Sequence, residues 1–329
     1  MAGVSVTTVY DTLNSLSLPK VSQKIADNIT TKIPLLYALN ATGHKEYENG
    51  GVNYRFPVLN SLPVAQAYTG STPLNSASID VVTLAIFNRK QLTADITLTG
   101  TELLANSGND PTSVVDLVTS AIQIAEERMK STMDGATHGL YSSNGESDLG
   151  ITGLDNILPT STSTGTCGGL DRAVYSWWRH QSDSVTTGMN TDGLASMYAL
   201  HAACNRGDES PNLIASTVSG YTNYERIITG TLSYNTPSPK TQFGDIGFEH
   251  LFFRGAVMFP ASNCPANSMY FLNTKYLKLI VHRDRDMAIR DFITPTNADT
   301  IVGRIYWAGN LVCNNLSSQG LLTGSVDTY

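Results

Sequence analysis

Charged side chains are scarce in this sequence. They make up 15% of its 329 residues, against roughly a quarter in an ordinary soluble domain. The 21 basic and 28 acidic residues leave a net charge of −7, and the basic residues do not cluster. This argues against nucleic-acid readout, which needs clustered lysine and arginine. A monomer of this composition would expose much neutral surface and tend to associate, so the composition indicates a protein that assembles.

Cysteines and long apolar runs are also few. The four cysteines are too sparse for a disulfide framework and lack the paired CxxC spacing of a zinc site. No window approaches the roughly 18 consecutive apolar residues of a membrane span, and no secretory signal opens the sequence. Because 41% of the residues are hydrophobic, the chain can build a sizeable core, which excludes disorder. The isolated thiols suit a reducing compartment.

The common sequence motifs of enzymes are missing as well. There is no GxxxxGK[ST], no GxGxxG opening a helix, no GxSxG and no HExxH. Cys167 with His180 or His138 could form a nucleophile pair, but Cys167 lies in a Gly/Thr-rich loop without a supporting motif. His201 and Cys204 share a helical face, but no second pair completes a metal site. We predict no enzyme activity, metal or cofactor, and keep a hydrolase using Cys167 as an alternative.

A long hairpin follows an irregular arm at the start of the sequence. Residues 1–47 contain short apolar pieces without a core of their own. Alternating apolar residues predict a β-hairpin over 48–100, whose second arm runs on through 92–98. Its tip, 56–79, carries no charge. Two strands form no core, so we expect the tip to dock on another chain through the candidate contact residues Leu62, Val64, Tyr68 and Leu74.

A long helix and a second α/β region come next. Asp110 and Pro111 fit the N-cap and N1 positions of a helix, and apolar residues then recur with a period of three to four residues. This predicts a helix over 110–138, a rod of nearly 40 Å. Alternating helices and strands follow, including a helix predicted for DRAVYSWWRHQS. The strand DTIVGRIYWAGNLVC then returns to the first region.

One short segment concentrates charges of alternating sign. It consists of Arg283, Asp284, Arg285, Asp286, Arg290 and Asp291. One interpretation is a surface segment that forms salt bridges within its own chain. The other is that these charges meet opposite charges on a neighbouring subunit and set the register of the contact. The sequence favours neither, so the six residues are further candidates for inter-subunit contacts.

The order of these parts resembles the major capsid protein of tailed phages, with the Hong Kong 97-type fold. The local sequence is similar to that family in two places. These are the hairpin (GVNYRFPVL and VTLAIFNRKQLTADITLTG) and the long helix (VVDLVTSAIQIAEERM). The α/β region adds NLIASTVSGYTNYERI and RGAVMFPASNCPANSMYFLNTKYLKLIV. The resemblance covers essentially the whole chain and rests on architecture, because the family has no catalytic signature.

The resemblance implies an α+β fold with five segments. They are an N-terminal arm (1–47), a hairpin called the E-loop (48–100), a peripheral domain with its spine helix (101–158), an axial domain (159–298) and a returning peripheral strand with a C-terminal tail (299–329). It implies assembly through hexamers and pentamers into an icosahedral virion shell around double-stranded DNA, formed in the host cytoplasm. The implied partners are other copies, a portal, a scaffolding protein and a decoration protein.

Two departures from the family and one rival function shape these expectations. Some members link an E-loop lysine to a neighbour's asparagine, but residues 56–79 hold no lysine and Lys90 lies on the returning arm, so we predict no cross-link at the tip. The 47 residues before the hairpin leave no room for a fused scaffolding segment, so either the scaffold is a separate protein or the sequence starts after processing. Met1 favours a separate scaffold. The rival function is an encapsulin-type compartment, which shares the fold. A secreted adhesin is disfavoured because no signal is found.

Overall fold

The computed structural model describes residues 34–41, 43–61, 65, 67–70, 81–106, 117–139, 150–231, 251–296 and 298–329. The chain divides into two compact units. The first contains Gln91–Met133 and Asp284–Ala308, and the second contains Ile33–Lys90, Asp134–Arg283 and Gly309–Tyr329. None of the helices in the described residues has the length and apolar composition that crossing a lipid bilayer requires.

The described residues form six α-helices and fifteen strands. The α-helices are α1 (Pro34–Ala41), α2 (Gly100–Asn106), α3 (Leu117–Thr137), α4 (Leu154–Ile157), α5 (Leu194–Cys204) and α6 (Val218–Thr231). The strands are β1 (Lys45–Glu48), β2 (Asn53–Leu59), β3 (Val82–Asn88), β4 (Lys90–Thr99), β5 (Thr166–Cys167), β6 (Leu170–Asp171), β7 (Gln181–Val185), β8 (Leu213–Ser216), β9 (Leu251–Phe253), β10 (Ala256–Pro260), β11 (Met269–Leu272), β12 (Leu277–His282), β13 (Ala288–Ile293), β14 (Thr300–Cys313) and β15 (Gly320–Gly324).

In the first unit, the long helix α3 has the buried stripe that the sequence predicts. Ala125, Met129 and Met133 follow one another at i, i+4 spacing and are buried. The helix ends at Thr137, close to the predicted end, while the predicted cap residues lie outside the described residues. The shorter helix α2 begins with a capping box, in which Glu102 accepts the Thr99 N–H at 2.8 Å.

The sheet of the first unit is built on β14, with which both β13 and β4 pair. β13 is antiparallel to β14, with Ala288 opposite Tyr306 and Arg290 opposite Arg304. A strand is present at 92–98 as the sequence predicts, but it belongs to β4 and does not extend the hairpin. The hairpin prediction was therefore wrong for this arm, because an apolar alternation does not say which strand will be its partner.

The second unit contains a six-stranded sheet in the order β7-β15-β11-β8-β10-β9. Helices α5 and α6 pack on it around a core that contains Met197, Met258, Phe271 and Leu322, all completely buried. The predicted strand in NLIASTV is β8, and the predicted helix in SGYTNYERII is α6. In the same unit, β1 pairs with β12, and β12 pairs with the second half of β14.

Two further segments differ from the sequence predictions. The predicted helix DRAVYSWWRHQS is instead a short strand, one 3₁₀ turn over Ser176–Trp178 and the start of β7. Tertiary contacts override helix propensity here, because the buried Arg172 donates to the carbonyls of Asn156 and Ile157, and Trp178 donates to the carbonyl of Cys167. The tail after β14 does not stay with the returning strand but supplies β15 to the six-stranded sheet.

Candidate functional site

The base of the β2–β3 hairpin is held by its own unit. The strands are antiparallel from Asn53 opposite Asn88 to Leu59 opposite Val82. Near the base, Tyr54, Ala85 and Phe87 are buried. The backbone N–H of Ile86 donates to the carbonyl of Gly168 at 2.8 Å. Gly168 has φ +60°, and a Cβ there would lie 3.1 Å from the ring of Phe87, so a glycine is needed for this close approach.

The distal half of the same hairpin is exposed. Pro57 lies opposite Leu84 and Leu59 opposite Val82, so these side chains point to one face. Leu59, Val82 and Leu84 are 53%, 52% and 48% exposed, and Pro57 is exposed as well. We call these residues the hairpin apolar face. Adjacent exposed apolar side chains of this kind are typical of surfaces that contact a partner.

The tip beyond these strands is described only in part. Tyr68 is 67% exposed, as a docking residue of a free subunit would be. The other candidate tip residues, Leu62, Val64 and Leu74, lie outside the described residues. Lys90, which follows the hairpin, is buried.

The charged segment makes contacts within its own chain. Arg283–Arg285 form one 3₁₀ turn, and Arg285 donates to Gln91 Oε1 at 2.8 Å. The guanidinium of Arg285 also lies over the ring of Tyr306, 5.6 Å from its centroid. Arg285 is therefore used inside the first unit. Arg283 and Asp284 are exposed, Asp286 is half-buried, and Asp291 lies on β13 outside the residues whose side chains are described.

A cross-strand pair of arginines lies next to this segment. Arg290 faces Arg304 directly across β13 and β14, and both side chains are exposed. Like charges in this position destabilise a sheet. The Arg304 Nε lies 3.0 Å from Asp95 Oδ1 on β4, and bonds to Tyr306 and then Asp95 raise the pKa of Arg304. Within the described part of the chain, Arg290 has no ion pair.

A groove in the first unit runs between β4 and α3. Its volume is about 420 Å³, and its lining includes Ile96 from the strand and Ala121, Ile124 and Met129 from the helix. Ile124 is 54% exposed, which leaves an aliphatic side chain open to solvent on the rim. We call this feature the β4–α3 groove. Threonines and the charged residues Asp95 and Arg128 complete the lining, so the groove combines aliphatic and polar side chains.

The candidate nucleophiles and metal ligands lie in the interior. Cys167 is completely buried, and burial raises the pKa of the Cys204 thiol to about 12, which keeps it protonated at neutral pH. Burial and then the charge of Arg172 lower the pKa of His180 to about 4. His201 stacks edge-on against Phe253. Among the described residues, no three His, Cys, Asp or Glu side chains are arranged to hold a metal ion.

Sequence reasoning did not predict the hairpin apolar face, Arg304 or the β4–α3 groove as parts of the site. Two of these features are nevertheless visible as patterns in the sequence. Pro57, Leu59, Val82 and Leu84 occupy alternate positions of two facing strands, and Arg304 is the only charge in the otherwise uncharged strand β14. The groove left no such pattern, because it depends on how a strand and a helix pack.

Comparison with known proteins relates the chain by structure alone. No family model matches the sequence, and a search of curated proteins finds no significant match. Among solved structures, the cyanophage A-1(L) capsid asymmetric unit is similar at 16% identity, with a TM-score of 0.71 over 92% of this chain and 96% of that one. The capsid of a native GTA particle has 10% identity and a TM-score of 0.64 over 99% and 100% of the two chains.

An encapsulin is similar over a comparable length. The holo-SrpI encapsulin complex from Synechococcus elongatus PCC 7942 has 12% identity and a TM-score of 0.62, covering 100% of this chain and 98% of that one. The match to shell proteins thus includes nearly the whole chain in every case. The chain has the mixed α+β, Hong Kong 97-type fold of phage capsid and encapsulin shell proteins.

Proposed function

We propose that this chain is the major capsid protein of a tailed phage, which assembles through hexamers and pentamers into an icosahedral shell around double-stranded DNA. The hairpin apolar face is the observation that carries the proposal. Burying a fully exposed leucine or valine is worth about 1.5–3 kcal/mol, so covering four half-exposed apolar side chains supplies several kcal/mol per contact. In a closed shell, each copy gives and receives this contact, and the rotation between copies closes the assembly.

The proposed receiver for the hairpin is the β4–α3 groove of a neighbouring copy. The groove offers Ile124 and other aliphatic side chains, and the hairpin offers an apolar face and an uncharged tip. Ile124→Asp should therefore block assembly and leave the subunit folded. Gln123→Asp, at an exposed neighbouring position of α3, is the matched control and should assemble. Equal assembly of both variants would reject this receiver.

The candidate tip residues and charges complete the proposed contacts. Replacing Leu62 and Val64 with charged residues should leave the subunit folded and prevent shell formation, as followed by light scattering. Arg290 and Arg304 should meet a carboxylate of the neighbouring copy, since their own unit supplies one ion pair between them among the described residues. Particles formed at the normal rate by the Leu62/Val64 variant would remove the tip from the contact.

The net charge of the chain bears on its proposed relation to the packaged DNA. A net charge of −7 suits a wall that encloses DNA without holding it, because retention would need clustered basic residues. The chain would be found in the virion after assembly in the host cytoplasm. A portal and a scaffolding protein are expected partners, with a decoration protein as a further one, and no enzymatic step is assigned to the chain.

The second candidate is an encapsulin-type compartment, favoured by the full-length similarity to the encapsulin above. Electron microscopy of particles purified from the cells that produce the chain separates the two. Uniform shells filled with nuclease-protected DNA are expected for the capsid, and shells filled with protein support the compartment. Monomers at high concentration would contradict both. A hydrolase that uses Cys167 is disfavoured by the complete burial of that thiol, and normal assembly of Cys167→Ala would count further against it.

A further inference from the structure

Strand β15 occupies an unusual place in the six-stranded sheet. It lies between β7 and β11, parallel to the first and antiparallel to the second. It also follows all the other strands of this sheet in the sequence. The ribosome therefore synthesises the neighbouring strands β7 and β11 before it makes β15, the strand that lies between them. In the described residues, β15 is the strand that connects β7 to the rest of the sheet.

The contacts of β15 are those of a deeply seated strand. Leu321 and Leu322 are 3% and 0% exposed. Gly320 lies under α5 so closely that a Cβ there would meet the Cys204 sulfur at 2.6 Å and Leu200 at 3.1 Å. Without this strand, α5 would lose part of the surface on which it packs, and β7 would lose its partner. Main-chain pairing and burial of side chains also hold a peptide strand that is added to a sheet.

The residues that follow β15 make further contacts with the second unit. The completely buried Val326 packs into the main core beside α6. Asp327 accepts the N–H of Asn267 at 2.7 Å and the hydroxyl of Thr217. The Thr328 carbonyl accepts the N–H of Met189 at 2.8 Å. Residues 320–328 thus bind to five or more separate parts of the second unit through strand pairing, an apolar anchor and a carboxylate.

We propose that β7 and β11 form a strand-binding slot whose ligand is the segment 320–328, and that the second unit becomes competent to assemble only when this slot is filled. A chain still being synthesised has an empty slot, so it cannot join a shell before its second unit is complete. The part that concerns assembly rests on the proposed function, whereas binding of the segment to the slot does not. A slot of this kind also accepts its strand as a separate peptide.

The direct test uses a chain ending after Ser318 and fluorescent peptides of residues 319–329. The unchanged peptide should bind the shortened chain. On binding, the near-UV circular dichroism signal that reports tertiary packing of the second unit should return. Leu322→Asp in the peptide should weaken binding at least about tenfold, because it puts a charge into a completely buried position. Tyr329→Asp, just beyond the segment and 53% exposed, is the matched control and should bind like the unchanged peptide. Equal binding of all three peptides, or a native second unit without any peptide, would overturn the proposal.

Hydrogen exchange on the full chain tests the slot if the shortened chain aggregates. The amides that β7 and β15 use to pair with each other should then have the same opening free energy, because β7 opens whenever its partner leaves. Slow exchange in β7 together with fast exchange in β15 would overturn the proposal. Neither experiment requires shells. If the slot binds its peptide but the full chain forms no particles, the proposed capsid function fails and the slot remains.

Discussion

The base and the distal half of the β2–β3 hairpin belong to the same two strands but have opposite surroundings. At the base, Tyr54, Ala85 and Phe87 lie on one face of the strands and are buried, whereas Leu59 and Val82 in the distal half lie on the other face and are about half exposed. The buried face is covered within its own unit, and the exposed face of the distal half is left for a partner. Changes at the base should therefore cost the subunit its stability, and changes in the distal half should cost the shell its contacts.

Phe87→Ala at the base should have the largest effect on stability. The ring is 2% exposed, and removing a buried phenylalanine side chain costs about 3–5 kcal/mol. Urea denaturation of the unassembled subunit measures this loss in the free energy of unfolding. Leu84→Ala in the distal half is the control and should change the same quantity by less than about 0.5 kcal/mol. Similar losses for both variants would erase the contrast between the two halves.

The buried His180 gives the interior a dependence on pH that the exposed distal half lacks. Its pKa is about 4 in the folded chain against 6.5 for an ordinary histidine, because burial and then Arg172 disfavour the charged form. The unfolded state therefore binds the proton more readily. Stability contributed by neutral His180 is present above about pH 6.5 and is lost as the pH falls towards 4, by on the order of 3 kcal/mol.

Replacing this histidine checks the sign and the size of that loss. His180→Leu should reduce the slope of the free energy of unfolding against pH between pH 6.5 and 4. The reduction should correspond to most of one proton taken up on unfolding, as measured by denaturation at several pH values. Leucine has no charged form to exclude from the interior. An unchanged slope in the variant would show that other groups cause the loss of stability in acid.

Gly168→Ala should have a smaller effect, at the point where the base of the hairpin meets its support. The residue has φ +60°, and the new Cβ would lie 3.1 Å from the Phe87 ring. Positive φ costs a non-glycine residue about 1–2 kcal/mol, and the close contact adds to this. Gly169→Ala is the control, since its φ is +73° but nothing lies within 4 Å of its Cβ position. Thermal unfolding should place Gly168→Ala below Gly169→Ala, and the reverse order would show that the ring contact is unimportant.

Local patterns in the sequence predicted the parts of the fold that depend on local residues. The buried stripe of α3 and the apolar runs of β8, β10, β11 and β12 are such parts, because burial of one side imposes a period on the sequence. Long-range pairing was not predictable in this way. The alternation at 92–98 predicts a strand but not its pairing with β14, and the uncharged run 305–325 does not indicate that part of it crosses into another sheet.

The candidate contact surface, like the fold, could be predicted from the sequence only where it depends on local residues. The uncharged tip follows directly from composition, and the hairpin apolar face is implied by two alternating strands once their register is known. The contacts of Arg285 and Arg304 were not predictable, because their partners, Gln91 and Asp95, lie about two hundred residues away in the sequence. Only the packed structure brings such residues together.

The most direct test of the account compares two valine variants in a shell assembly assay. Val82→Asp changes the hairpin apolar face, and Val52→Asp places the same charge at the hairpin's other end, where the valine is 86% exposed. Both purified subunits should unfold at the same denaturant concentration as the unchanged chain. We predict that Val52→Asp forms shells and that Val82→Asp stays unassembled in sedimentation and electron microscopy. Normal shells from folded Val82→Asp would contradict it.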